Sequence, residues 1–285
     1  MKIGTCVVLE DFEGYGMDCV ENRFATLRKY GFDSCQLISA SPSLWTAENA
    51  ALINEYVKKY DVTITVFWCG WEGPKEWNFY GGPLTLGLVP PVYRYARIKN
   101  LCDGADFARK LGVMDVATHM GFIPEDPNDA NWGGFCAGVR AVARHLKKNG
   151  QWLLFETGQE TPVAMLRCFE AVGTDNLAVN LDTANLILYG KANPVDALDV
   201  IGKYVRNIHA KDGFYPTCGS RLGEEVPIGT GKVDFPALFR RLHELGYDGP
   251  VTIEREIEGE QQIKDILESR EYLQKIIDEV YGGNA

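Results

Sequence analysis

Short apolar runs alternate along this chain with longer segments whose apolar positions recur every three to four residues. KIGTCVV, DSCQLIS, VTITVFW (62–68), VMDVATHMG, WLLFE, LAVNLD, VRNIH and VTIE are rich in β-branched and aromatic side chains and read as buried strands. Between them run helical stripes: Val20, Phe24 and Leu27; Leu101, Ala105, Ala108 and Gly112; Val139, Val142 and Leu146; Phe235, Leu238, Leu242 and Leu245; and Ile263, Ile266, Leu267, Leu273, Ile277 and Val280. Thr46 suits the N-cap of a helix reaching Tyr60, with Glu48 and Glu55 on its wet face, and further helices are predicted from Thr161 and from Pro194 to Lys203. Gly31 and the Asn149-Gly150 pair mark helix stops.

Strands that are apolar on both faces, each separated from the next by a helix, imply parallel pairing with right-handed crossovers. An open doubly wound sheet and a closed barrel both meet that description. The open sheet usually carries a glycine fingerprint after its first strand, but VVLEDFEGYG places its glycines too late and lacks GxGxxG. Eight strand–helix units in 285 residues match a (β/α)8 TIM barrel. The expected architecture is therefore α/β, one barrel domain over 1–285, with its active site at the C-terminal ends of the strands.

Three long connections interrupt the rhythm. Residues 69–93 hold five glycines, four prolines and several aromatics, and read as a substrate lid. Residues 122–133 and 211–233 form the other two, the last containing IGTGK. GxGK without the full GxxxxGK[ST] is a weak phosphate-loop signal, so IGTGK is read as a turn positioning the loop after strand seven.

Composition narrows the function classes. Eight cysteines are scattered without a CxxC, which argues against a disulfide scaffold or structural zinc and for reduced thiols in the cytoplasm. No long apolar run and no signal-like N-terminus is present, so no membrane is expected. A net charge of −10 disfavours nucleic acid. A small neutral or metal-chelating substrate fits better, and the aromatics of the first long loop also suit a homo-oligomer interface.

The chemistry concentrates at four strand ends: Glu156 ends strand five, Asp182 strand six, His209 strand seven and Glu254 strand eight. A lone acid there is more often a helix cap or ion-pair partner. Four such groups at one barrel mouth need a cation, because burying the carboxylates uncompensated costs repulsion or protonation. Oxygen-rich ligation with one nitrogen suits one divalent ion, Mn²⁺ first, with Mg²⁺, Co²⁺ or Zn²⁺ as alternates. His145 and His243 fall on helices and read as surface residues.

The order Glu, Asp, His, Glu, with LLFETGQE, NLDTAN, IHAKDG and VPIGTGKVDF, resembles the xylose-isomerase-like barrel superfamily of sugar isomerases, epimerases, inosose dehydratases and endonuclease-IV-like enzymes. The resemblance covers essentially the whole chain. It implies a metal held by Glu156, Asp182, His209 and Glu254, with Glu156 and Glu254 as base and acid on a carbohydrate, a ketose or keto-sugar, through a metal-stabilised enediolate. His119, Trp68, Lys211 and Arg255, at or just past strand ends, are substrate-facing candidates, and Gln159 and Glu160 could reach sugar hydroxyls. Glu160 serves equally well as a helix N-terminal acid, and Asp212 as a partner for Lys211.

Two segments depart from the ketose 3-epimerases the chain is similar to. Asn185 stands where those enzymes carry a sugar-gripping histidine, and AKDGFYPT follows His209 where they present an arginine. HAKD is closer to the dehydratase and sugar-phosphate branches. The expected activity is a metal-dependent isomerase or epimerase, with a lyase or dehydratase on a keto-sugar or inosose as the alternative. An endonuclease-IV-like repair enzyme, which needs a histidine-rich zinc cluster, and a non-catalytic ligand-binding barrel are disfavoured.

Overall fold

The computed structural model describes residues 1–10 and 20–282, so Cys19 and the glycines of VVLEDFEGYG lie outside the described residues. The first half of the chain supplies β1 (Ile3–Val8), α1 (Val20–Lys29), β2 (Ser34–Ser39), α2 (Ala47–Tyr60), β3 (Thr63–Cys69), α3 (Gly82–Thr85), α4 (Pro91–Lys110), β4 (Asp115–Thr118) and α5 (Trp132–Lys148). The second half supplies β5 (Trp152–Glu156), α6 (Pro162–Val172), β6 (Leu177–Asp182), α7 (Asn185–Leu188), α8 (Pro194–Ile201), β7 (Val205–Ala210), β8 (Asp212–Phe214), β9 (Glu224–Val226), α9 (Phe235–Glu244), β10 (Val251–Ile253) and α10 (Glu260–Tyr281). Eight of the strands close into one barrel in the order β1-β10-β7-β6-β5-β4-β3-β2, every neighbour parallel. This is a (β/α)8 barrel.

The helical stripes bury as their spacing requires. Val20, Phe24 and Leu27 of α1, Val139, Val142 and Leu146 of α5, and Leu273 and Ile277 of α10 pack against the outer face of the strands. Thr46 caps α2 by accepting from the Asn49 N–H, Thr161 caps α6 by accepting from Ala164, and Gly31 and Gly150 take the left-handed turns predicted for them. Leu245 and Gly112 instead fall at helix ends and are exposed, because the chain turns there before another turn of helix can face inward.

Inside the barrel, side chains two residues apart on a strand share the inner face. Val66, Ala117, Leu154 and Ala178, one from each of β3 to β6, fill its apolar floor. Continuing along the strands in steps of two leads from Leu154 to Glu156 and from Ala178 through Asn180 to Asp182. The interior thus changes from apolar to polar toward the C-terminal mouth.

Two long connections are more ordered than the sequence pattern suggests. Within 69–93, Trp71, Leu86, Leu88 and Val89 are buried, and the short helix α3 interrupts the loop. The fully buried Arg97 donates to the carbonyls of Gly87 (2.8 Å) and Pro74 (2.9 Å) and stacks on Trp71, so both ends of this segment are tied into the core, while residues 72–77, Tyr80, Leu84 and Val92 are exposed. Residues 211–233 contain the antiparallel hairpin of β8 and β9. Asp212 does not hold Lys211. Its carboxylate accepts from the N–H groups of Gly213, Gly229, Gly231 and Val233, tying IGTGK back to the base of the hairpin. The turn expected there is present, with Asp212 as its anchor.

Candidate metal centre

Glu156 and Asp182 are the last residues of β5 and β6. His209 stands directly opposite Asp182 in the β6–β7 register and opposite Thr252 in the β7–β10 register. Glu254 follows β10 at once, its N–H donating to the Ala210 carbonyl at 3.1 Å. Parallel strands in register therefore bring four residues from distant parts of the chain to one level of the barrel mouth. One ligand atom from each lies within 4.8 Å of all the others.

His209 is the hub. Its Nδ1 is 3.3 Å from Glu156 Oε1, 3.7 Å from Asp182 Oδ2 and 3.2 Å from Glu254 Oε2. Both His209 ring nitrogens and Asp182 Oδ2 are buried without a hydrogen bond of normal geometry. Orphaned polar atoms of this kind are costly unless something completes them. Three carboxylates and one imidazole converging on one point are the donor set of a divalent oxygen-preferring cation, and these residues fit one.

The electrostatics show the same demand for positive charge. Burial raises the Glu156 carboxyl, but the imidazoles of His209 and His119 more than reverse this and hold it well below the ordinary range. Burial likewise opposes ionisation of Glu254, yet Lys211 and His209 bring it down to about 2. At Asp182 burial wins over Lys211 and pushes the carboxyl up to about 7. Burial disfavours the His209 imidazolium, while Glu156 and Glu254 raise it well above its usual value. A proton on His209 would take the electrostatic role of a cation, and a bound metal would displace it.

Threonines adjoining two of these acids fix the strand ends. Thr157 Oγ1 donates to the Asp182 carbonyl (2.8 Å) and accepts from its N–H (2.9 Å), while Thr183 Oγ1 donates to the Lys211 carbonyl (2.6 Å). The remaining predicted residues divide into two groups. Trp68 donates its indole N–H to Glu156 Oε2, and His119 Nε2 lies 3.3 Å from Glu156 Oε1. Asn185 donates its backbone N–H to Asp182 Oδ1 at 2.7 Å, and its side-chain oxygen accepts from Lys211 at 3.3 Å. Lys211 Nζ also pairs with Glu254 (3.4 Å) and Glu256 (3.0 Å).

Gln159 and Glu160 are buried, and neither their side-chain polar atoms nor His119 Nδ1 makes a hydrogen bond of normal geometry. Gly158 brings this turn against the site: a Cβ there would stand 3.2 Å from the Asn185 Cβ and 3.6 Å from His119 Cε1. Thr161, not Glu160, caps α6. Arg255 is directed elsewhere, pairing with Asp265 at 2.8 Å and Glu225 at 2.9 Å, which makes it a clasp between β9 and α10.

Sequence reasoning missed Asn180, Asn207, Gln36 and Thr252. Asn180 Nδ2 donates to Glu156 Oε2 at 3.0 Å and its oxygen accepts from Asn207 Nδ2, which also reaches Gln36 Oε1 at 3.2 Å. Thr252 Oγ1 lies 3.5 Å from Asn207 Oδ1. The signal was available: Asn180, Asn207 and Thr252 each stand two residues before a strand-end ligand candidate, so all share its inward face.

A family model described as "Xylose isomerase-like TIM barrel" matches residues 24–276. An uncharacterised protein of Methanocaldococcus jannaschii is 28% identical over 268 residues, covering 88% of this chain and 83% of that protein. Inosose dehydratase of Lacticaseibacillus casei is 23% identical over 147 residues, 45% of this chain and about half (48%) of the dehydratase. Among solved structures, a xylose isomerase domain protein from Planctomyces limnophilus superposes with a TM-score of 0.89 at 30% identity over 98% of each chain. A D-tagatose 3-epimerase-like protein superposes at 0.73 with 20% identity over 100% of each chain, a likeness of fold. Among the described residues no helix is long and apolar enough to cross a membrane.

Proposed function

From a chain that belongs to the xylose isomerase-like TIM barrel family, we propose a divalent-metal-dependent sugar epimerase or isomerase acting on a ketose or keto-sugar. The observation that carries this reading is the convergence of Glu156, Asp182, His209 and Glu254 within 4.8 Å, with buried donor atoms left unsatisfied. Those four residues would hold the ion, Mn²⁺ first by donor type. Bound there, it supplies Lewis-acid polarisation of a substrate carbonyl and its neighbouring hydroxyl, acidifying the C–H between them toward an enediolate.

The chain's own residues do the rest. Glu156 and Glu254 come from the ends of strands separated by β6 and β7, and each faces His209 Nδ1. One, as a carboxylate, takes the carbon-bound proton, and the other, carrying a proton drawn from solvent, delivers that proton to the opposite face, which inverts the carbon. His119 closes the Glu156 side, with Trp77 packed 5.1 Å from its ring. Gln159 and Glu160 offer sugar hydroxyls a buried amide and carboxyl that lack a hydrogen bond of normal geometry, and buried polar groups need partners.

Lys211 favours a second reading, a dehydratase on a keto-sugar or inosose. It is buried against Glu254, and its ammonium can give a proton to a departing hydroxyl while Glu156 or Glu254 takes the carbon-bound proton. One experiment tests both: metal analysis of the purified protein, then a panel of keto-sugars and inososes turned over in deuterated water. Deuterium at the carbon beside the carbonyl without loss of water is the epimerase outcome, and loss of water the dehydratase outcome. A metal-free protein with no exchange on any substrate overturns both readings.

A further inference from the structure

The two oxygens of Glu156 have different surroundings. Oε1 faces His119 Nε2 and His209 Nδ1, each at 3.3 Å. Oε2 accepts from Trp68 Nε1 and from Asn180 Nδ2, one donor for each of its lone pairs. That second oxygen has no acceptor capacity left for a cation. Carboxylates that ligate metals are commonly oriented by outer partners, and here both partners lie on one oxygen.

Asn180 is itself held in one orientation. Its oxygen accepts from Asn207 Nδ2, which also donates to Gln36 Oε1, and Asn207 Oδ1 faces the Thr252 hydroxyl. Asn180, Asn207 and Gln36 are fully buried and Thr252 nearly so, without solvent to supply alternative partners. Turning the Asn180 amide over would set its oxygen against the Glu156 carboxylate and its NH₂ against that of Asn207. The donors therefore point in one direction, from β10 and β7 through β6 to Glu156 on β5, and each bond polarises the next.

We infer that Asn180, seated by Asn207, is a positioning residue that with Trp68 locks Glu156 Oε2 away, so that Glu156 meets the metal through Oε1 alone. This rests on the metal reading above. Two asparagines that only filled the barrel interior would leave metal coordination untouched.

The test is Mn²⁺ affinity by calorimetry and the visible spectrum of the Co²⁺-loaded protein, for wild type, Asn180→Ala, Asn207→Ala, the double variant and Trp68→Phe, with metal-free melting as a check on folding. Asn180→Ala is expected to weaken Mn²⁺ about tenfold or more and to alter the Co²⁺ spectrum as Glu156 Oε2 becomes free to ligate. Asn207→Ala shifts both in the same direction, less strongly, and the double variant is no weaker than Asn180→Ala. Trp68→Phe keeps a ring at a partly exposed position and reports on the same oxygen if Asn180→Ala does not fold. Unchanged affinity and spectrum in folded variants, or additive effects in the double variant, overturn the inference while leaving the metal site standing. A wild-type chain that binds neither ion overturns the metal reading and this inference with it.

Discussion

Lys211 stands with its Nζ 3.4 Å from Glu254 Oε2, enclosed between the end of β7 and the end of β10. Burial works against its charge, and Glu254, Asp182 and Glu256 together hold its pKa well above the usual lysine value. Removing one member of a buried ion pair leaves the other uncompensated. Lys211→Met is therefore expected to cost about 3–5 kcal/mol of stability in the metal-free protein, measured by urea unfolding. Unfolding at the wild-type midpoint would show that the carboxylates are satisfied without it.

Glu254→Ala removes both a ligand candidate and a proton-transfer group. Turnover is expected to fall by about 10²–10⁴ or more, with weaker metal retention after dialysis. Full activity in this variant refutes the proposed centre.

His209→Ala and Asn185→Ala separate ligand from neighbour. His209 contacts three carboxylates, whereas Asn185 touches Asp182 through its backbone, which alanine retains. His209→Ala is expected to lower metal affinity by more than about 100-fold, beyond the range of an outer partner, and Asn185→Ala by far less. The reverse order, read by calorimetry, means the ligand set is misassigned.

Glu160 gives a pH signature. Burial pushes its carboxyl up to about 7, opposed by His119, from an ordinary value of 4.5. The folded protein then binds this proton more tightly than the unfolded chain, so the contribution of Glu160 to stability is greatest below pH 4.5, declines as pH rises to 7, and stays lowered above it. The decline is about 3 kcal/mol, and Glu160→Gln is expected to abolish that part of the pH dependence in unfolding measurements at pH 5 and 7.5. An identical pH slope in both proteins counts against a strained carboxyl here.

Trp77 is half-exposed yet packs on His119. Trp77→Ala is expected to raise KM for the substrate while bound metal stays unchanged. Loss of metal instead assigns the tip of this connection to the core, with Trp71.

The spacing of apolar residues, together with turn glycines such as Gly31 and Gly150 and the Thr46 and Thr161 caps, was enough for the barrel, since these are local signals that survive without a partner in view. The four strand-end groups were legible for a related reason: a parallel barrel delivers the last residue of each strand to one mouth, whatever separates them in sequence. Position after a strand says nothing of a side chain's partners, and only the fold reveals that Arg255 is clasped by the β9 and α10 acids Glu225 and Asp265.

The chain by itself determined the eight barrel strands, the main helices between them and their order, because helical and strand periods are set by neighbours a few positions away. Tertiary structure alone decided which oxygen of Glu156 faces His209, that Asn180 donates to the other with Asn207 behind it, that Lys211 is buried beside Glu254 and that Asp212 anchors IGTGK. Those facts depend on strand register and on contacts across the barrel, where residues more than a hundred positions apart, such as Gln36 and Asn207, become hydrogen-bond partners.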